Sequence, residues 1–504
     1  MFKHKYYIAD GTYGKVYNVH YNNLDKCLKE YKISADNMGV TEDILKEIFH
    51  SSQIYANITI SYISENFKFI IMDLLDGDLY DYKKLYNTNN DVYLKTISDQ
   101  LLKQLYTLHS HGFIHSDVKI SNILFKKTSN IFTLCDFGLC EYYGFPCVNK
   151  KYICTEYFRA PTLGIHNNIN YDIYSLGATL YFYIGNKFCE IIDTTKISNQ
   201  VIKRLINYNH DVSAKKILDI NVCCEKKQKY IKKIVQKLHL KEENIVNNKL
   251  KLNDNIFLNL CIKNNVYRSY HFNEENIFEI EYLDDMFNTY QDREFKLVDN
   301  KNDTIVNDKI HLLKLHKQIN THLDTLFFSW YLLDNVSFFN KLGRKYELNI
   351  FYNFSCKLLE FNNINHLNLP TDSIIEVEYY LISKFFNKEL VFTPAIFYIY
   401  YFLYRIANDY SNQYFIEYRI LESIVLPIYI LYLIRPFKFN RKNTYVKLAY
   451  KIVLISIDFI LKKNITEKWY KILKMTTSLL DDDIKLLIIE NNELRNYLSA
   501  NHKE

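Results

Sequence analysis

Glycine and proline are scarce in this chain, at 11 and 6 of 504 residues. Set against 45 tyrosines and 33 phenylalanines, that leaves little material for a turn-rich architecture and describes an aromatic-rich, mostly helical protein. An excess of one charge is missing too. Lys and Arg number 63 against 57 Asp and Glu, a net charge of +6, and no Lys/Arg block dominates one face, so no nucleic-acid partner is expected. The 10 cysteines include no CxxC pair and no histidine partner at zinc-ligand spacing, which excludes a zinc framework and favours reduced thiols in a cytosol-like compartment. The longest apolar run, Ser423 to Ile434, lies between Glu422 and Arg435 and contains Pro427. It falls short of the ~20 residues that a membrane span needs, so it reads as a buried helix and no membrane partner is expected. The N-terminal MFKHKYYIAD has charge but no apolar core or small-residue cleavage site, so it is not a secretory signal, and an intracellular address is expected.

A chain of 504 residues is too long for one core, and two or three domains are expected. Residues 1 to about 80 alternate short β-branched and aromatic runs with turns, around one helical pattern from Thr41 to Tyr55. From Val92 onward the spacing is helical. Between Asp284 and Lys309 the chain is rich in Asn, Asp and Lys without a sustained apolar period, which reads as a linker over residues 286–310. Residues 311–504 hold successive apolar helical segments with short Asn-rich breaks, an all-helical half large enough to fold by itself.

Phosphoryl transfer needs a cradle for phosphates, a cation to orient them, oxygen ligands for magnesium and a base beside the acceptor hydroxyl. Each part occurs, in order. YIADGTYGKVY places Gly11 and Gly14 in a strand-turn-strand context where backbone amides can approach phosphate oxygens, although Ala9 stands where GxGxxG has its first glycine. An ordinary hairpin would look the same, so this stretch alone carries little. KCLKEYK then supplies Lys29 on an apolar-flanked strand, and Glu47 follows eighteen residues later in the helical GVTEDILKEIF, within ion-pair reach. GFIHSDVKISNILF places Asp117, Lys119 and Asn122 on a loop, and TLCDFGLC places Asp136 at the end of another strand. Those spacings supply a base, a phosphate-binding cation and two magnesium-ligating side chains.

On these motifs, with YFRAPT and YDIYSLG after them, residues 1–285 resemble the eukaryotic protein kinases. Within that family GTYGKVY, GVTEDILKEI, LHSHGFIHSDVK and DFGLCEYYGFP look most like the cyclin-dependent kinases. The resemblance implies an α+β bilobal kinase fold, with an N-lobe over about 1–75 and a C-lobe over about 76–285, that uses ATP and magnesium. It makes Asp117 the catalytic base with Lys119 beside it, and Lys29, with Glu47, the holder of the α and β phosphates. Asn122 and Asp136 become the magnesium ligands, and Asp172 the brace of the catalytic loop. Met72 becomes the gatekeeper, Asp73 and Leu75 the hinge backbone for adenine, and Asp78 the neighbour of the ribose. Val16, Cys27 and Leu124 would sandwich the base, and Ala9, Gly11 and Gly14 would cover the phosphates.

Three positions depart from the pattern. Ser116 replaces the arginine that in these kinases binds an activation-segment phosphothreonine, and a serine cannot clamp a dianion. The phosphothreonine position itself falls near Lys150, and no Ser or Thr occurs between Gly138 and Thr155. Thr162 stands where a glutamate is expected, which removes the usual ion-pair partner of Arg268.

The C-terminal half offers an activator in place of the phosphate. TLFFSWYLLDNVSFFNKLGRKYELNIFYNFSCKLLEF resembles a cyclin box, and IIEVEYYLISKFFNKELVFTPAIFYIYYFL resembles its last helices and the entry to a second repeat. In that family a Lys and a Glu from different helices grip the kinase's PSTAIRE-type helix, and Lys357 and Glu378 match them. The expected protein is thus a serine/threonine kinase acting on protein substrates, with an intramolecular all-α cyclin-like partner over 311–504 that activates it in cis without activation-segment phosphorylation. A reading from another class stays open here: a pseudokinase scaffold whose helical domain binds a partner protein, with Ala9, Ser116 and Thr162 as marks of decay. The retained Lys29, Asp117, Asn122 and Asp136 argue against it. A fusion of this composition would suit a large DNA virus, an association at the level of fold alone.

Overall fold

A computed structural model describes residues 5–11, 14–32, 39–53, 58–86, 91–142, 155–158, 170–185, 303–319, 323–337, 342–360 and 371–390, with short pieces and single positions elsewhere. The described residues fall into two compact units. One holds those of Met1–Lys216 and Ser329–Phe392, and the other includes those of Gln291–Phe328.

The first unit opens with a five-stranded antiparallel sheet in the order β1-β2-β3-β5-β4, formed by β1 (Lys5–Asp10), β2 (Gly14–Tyr21), β3 (Leu24–Tyr31), β4 (Ile60–Ile63) and β5 (Phe69–Asp73). Short turns, including left-handed Asn22 and Asn23 between β2 and β3, allow consecutive strands to pair. Between β3 and β4 lies α1 (Glu42–Gln53). Its buried Ile44, Leu45, Ile48 and Phe49 recur at helical spacing, each worth about 1.5–3 kcal/mol of transfer free energy. Acidic Glu42 and Asp43 in its first turn complement the helix dipole.

Beyond a short connection come β6 (Gly77–Asp78), α2 (Leu79–Tyr86) and α3 (Asp91–Ser110), whose Leu94, Ile97, Leu101, Leu105 and Leu108 form a continuous buried stripe. Then follow β7 (Phe113–Ile114), β8 (Ile123–Lys126), β9 (Ile131–Leu134), β10 (Glu141–Tyr142) and α4 (Asn170–Tyr183). β8 pairs with β6 and β9, and β10 pairs with β7. Helical spacing from Val92 onward is therefore corrected: four strands interrupt it. Two of them are two residues long, too short to carry a period of two.

Four further helices are described: α5 (Asp303–Ile319), α6 (Leu323–Asn335), α7 (Arg344–Leu359) and α8 (Thr371–Phe386). The linker expected over 286–310 is corrected at its end, since α5 begins at Asp303 and buries Asp308 and Lys309 there. The expected self-contained helical half is also revised, because α7 and α8 belong to the same compact unit as the sheet. Burial on every side of α7, from Glu347 through Leu359 with few breaks, makes it a central helix rather than an amphipathic one. The expected second helical repeat, Lys150, Thr162 and Arg268 lie outside the described residues. Among the described residues, no helix is long and apolar enough to cross a membrane.

Candidate active site

The site is assembled from three strands, two turns and α1. Antiparallel register sets Val16 of β2 opposite Lys29 of β3, and Lys29 opposite Ile70 of β5. From there the Lys29 ammonium reaches Glu47 of α1 at 2.6 Å and Asp136 at 3.6 Å. Burial alone would depress the lysine, but the two carboxylates carry it above its ordinary value. Burial raises Glu47, only partly opposed by Lys29. Lys29 thus stays a cation at neutral pH and can meet phosphate oxygens.

The glycine-bearing turn is placed by β1 and β2. Ala9 pairs with Val16 beside a register shift, and the Gly11 amide donates to Gly14 O at 2.8 Å. Gly14 has a second duty: a Cβ there would run into Glu30 O of the neighbouring strand, so any side chain would part β2 from β3. Cys27 pairs with both Asn18 and Met72, which puts it beside the residue expected to be the gatekeeper. Burial pushes its thiol up to about 12, so it stays protonated and inert at neutral pH.

Tethers on either side fix the stretch from Asp73 to Asp76. The Asp73 amide donates to Thr59 O at 3.1 Å and its carboxylate takes Lys26 at 2.6 Å, while Leu74 O accepts Lys126 and the Asp76 amide bonds Phe125 O. Leu75 stands between these anchored neighbours. Asp78 caps α2 by accepting from the Tyr80 and Asp81 amides through Oδ1, and pairs with Leu124 of β8.

The turn that carries Asp117 hangs from one buried carboxylate. Asp172 of α4 accepts the His115 amide at 2.8 Å and the Ser116 amide at 2.9 Å, and also meets His109 Nε2 at 2.8 Å. Burial alone would raise Asp172, yet His109 and these donors hold it below the usual carboxylate value. Ser116 has a left-handed φ of 66°, a conformation costing a non-glycine residue about 1–3 kcal/mol, which the bond to Asp172 offsets. His115 Nδ1 accepts the Asp117 amide, so Nε2 carries the proton and donates to Cys135 O at 3.1 Å, fastening this turn to the DFG segment.

Asp117 is 5% exposed and both its oxygens are engaged. Oδ2 meets Lys119 Nζ at 2.6 Å and Asn122 Nδ2 at 3.0 Å, and Oδ1 accepts the Thr155 hydroxyl at 3.1 Å and its amide at 3.3 Å. Lys119 also reaches Thr155 Oγ1 at 3.3 Å. Thr155 is the residue that sequence reasoning missed, since a threonine in an irregular stretch has no pattern to mark it. The magnesium implied by the resemblance fits the donors present. Asp136 Oδ1 is buried without a hydrogen bond, and Asn122 directs its amide nitrogen to Asp117, which leaves its carbonyl oxygen for a hard cation.

The last two expected residues lie apart from this cluster but act on the same helix. Lys357 of α7 donates to Val40 O at 2.7 Å, Glu378 of α8 accepts the Val40 amide at 2.8 Å, and the two side chains meet at 2.5 Å. Both are buried, and burial raises Glu378 against the pull of Lys357. Val40 stands two residues before α1. Further along, Phe49 of α1 packs edge-on against Phe385 of α8 at 5.1 Å, and Tyr379 meets Phe67 at 5.8 Å.

Residues 2–244 match the protein kinase domain family. The relatives include two proteins called serine/threonine-protein kinase 1. That of Lymantria dispar multicapsid nuclear polyhedrosis virus is 25% identical over 177 residues, 35% of this chain and 64% of the relative. That of Heliothis zea nuclear polyhedrosis virus is 24% identical over 214 residues, 40% of this chain and 78% of the relative. Cyclin-dependent kinase 2 of Caenorhabditis elegans is 28% identical over 210 residues, 38% of this chain and 56% of the relative. The chain thus spans less than two thirds of the first and third of these proteins. Residues 2–244 are thus similar to protein kinase domains, and the relatives named here are serine/threonine and cyclin-dependent kinases.

Proposed function

We propose that the chain is a protein serine/threonine kinase of the cyclin-dependent type, held in its active arrangement by its own C-terminal helices without a phosphate on the activation segment. Lys29, steadied by Glu47, meets the α and β phosphates of ATP. Asp117 orients the acceptor hydroxyl and takes its proton as the oxygen attacks the γ-phosphorus and the bond from that phosphorus to the β-phosphate oxygen breaks, releasing ADP. Lys119, 2.6 Å from Asp117, neutralises charge on the transferred group. Magnesium, when held by Asn122 and Asp136, supplies charge neutralisation along the phosphates. Thr155 bonds Asp117 through both hydroxyl and amide, and so ties the base to the segment that meets the protein substrate.

The observation that carries the activation half of this reading is the two-atom grip on Val40. Both backbone groups of Val40 are held, one by a cation and one by an anion, immediately before the helix that presents Glu47 to Lys29. A rigid helix transmits that hold to the ion pair. The missing arginine at Ser116 supports independence from phosphorylation. Two of the relatives named above are viral, which agrees with a viral source for this composition. Full-length protein given radiolabelled ATP and a mixed protein substrate should place label on serine or threonine. Transfer by Asp117→Asn at the wild-type rate would remove the catalytic assignment, and a wild type with no transfer would favour the scaffold.

A further inference from the structure

One pair of buried charges has no part in the mechanism above. Lys46 of α1 is 0% exposed and Glu141 of β10 is 5% exposed. Lys46 shares a stripe of α1 with Asp43, three residues before it, and His50, four after. One end of that stripe abuts the DFG glycine, since a Cβ on Gly138 would stand 3.2 Å from Asp43 O. The other end abuts β7, where the rings of His50 and Phe113 lie 4.4 Å apart. Phe113 is in turn the register partner of Tyr142, at 5.3 Å between rings. The stripe therefore runs along the segment from Gly138 to Tyr142, and Lys46 in its middle faces the stretch that holds Glu141. The electrostatics agree: burial depresses the Lys46 ammonium, and Glu42 and then Glu141 are the charges that most oppose this.

We propose that Lys46 and Glu141 form a buried charge couple that fastens α1 to the start of the activation segment, making both of them positioning residues for the Lys29–Glu47 pair and for Asp136. An activation-segment phosphate joins the same elements from outside, through cations that Ser116 does not supply. Here a fixed carboxylate two residues from the 3₁₀ turn of Phe137–Leu139 makes the link permanently. Removing Glu141 leaves Lys46 with Glu42 as its counter-charge, whereas removing Lys46 leaves two buried carboxylates without that cation, so a couple shows as a double variant milder than the Lys46 single. The effect on turnover rests on the kinase reading above, but the couple itself does not.

The test uses the full-length chain as wild type, Lys46→Met, Glu141→Gln and the double variant. Each single change should lower kcat about 10-fold or more with the KM for ATP within about twofold, and the double variant should exceed the worse single by at least about threefold. The conservative Lys46→Arg/Glu141→Asp should stay within about threefold of wild type. Losses that multiply in the double variant, or wild-type kcat in both singles, overturn the couple. If Lys46→Met fails to fold, Glu141→Gln beside the conservative pair decides: loss only in the former supports the couple, and equal loss overturns it. Melting temperatures of the same proteins without nucleotide form a second cycle. Additive losses there overturn the couple even if no form transfers phosphate, which separates its failure from that of the kinase reading.

Discussion

The Asp117 carboxylate holds four polar contacts with three residues, and each constrains what a substitution can do. Asp117→Asn keeps the shape but cannot take a proton, so turnover should fall about 10²–10⁴-fold with ATP affinity within about twofold. Asp136→Ala should lose turnover together with magnesium-dependent nucleotide binding. Titration calorimetry with and without the metal distinguishes the two. Asp172 makes a different prediction, because its folded pKa lies below the unfolded value of about 3.9. Its contribution to stability is therefore fully present above that value and is lost as pH falls through the folded pKa. Thermal melts of Asp172→Asn should lie well below wild type at pH 7 and converge with it towards pH 2. A constant gap across that range would show that the carboxylate's charge plays no part. These residues were legible in the sequence because phosphoryl transfer dictates residue types at short spacings. Thr155 was not, since its role arises from a contact with Asp117 across 38 residues. Nor was the Lys46 stripe, because helical periodicity marks apolar faces and says nothing of a buried cation on one.

At the scale of the element, α1 is where contacts from the sheet, the DFG segment and the C-terminal helices meet. One face meets the sheet through Lys29, another runs along the DFG segment, and its start is held from α7 and α8. Gly39 makes that hold possible. It has φ of 83°, and a Cβ there would lie 2.6 Å from Ile374 Cγ2 and run into the Glu378 carboxylate. Gly39→Ala should therefore lower kcat about 10-fold or more with little change in the KM for ATP, as read by steady-state kinetics. Unchanged kcat would mean that α1 keeps its place without the grip. The helix itself was foreseen within a few residues, from Ile44, Leu45, Ile48 and Phe49. β7 and β10 were not, because Phe113–Ile114 and Glu141–Tyr142 draw their pairing from the packing of Phe113 against His50 and Tyr142 rather than from local pattern.

Over the whole molecule, the sequence places a kinase-like pattern before a helical one, and the described structure joins α7 and α8 to the five-stranded sheet in one compact unit. Only the end of the stretch expected as a linker was misread, because Asp303–Ile319 is a helix that buries Asp308 and Lys309, polar residues that resemble a solvated connection. If the grip on Val40 stands in for a phosphate, phosphatase treatment should leave activity unchanged, which a paired assay before and after treatment checks. A loss on treatment would point to a phosphorylated residue elsewhere in the chain. The central claim concerns the buried Lys357–Glu378 pair, where leaving one charge alone costs about 3–5 kcal/mol. Steady-state kinetics of full-length Lys357→Met, beside wild type, tests it most directly. The account predicts that kcat falls at least about 10-fold while the KM for ATP stays within about twofold, because Glu47 no longer holds Lys29 in place although the nucleotide pocket persists. A folded Lys357→Met that turns over at the wild-type rate would contradict activation in cis.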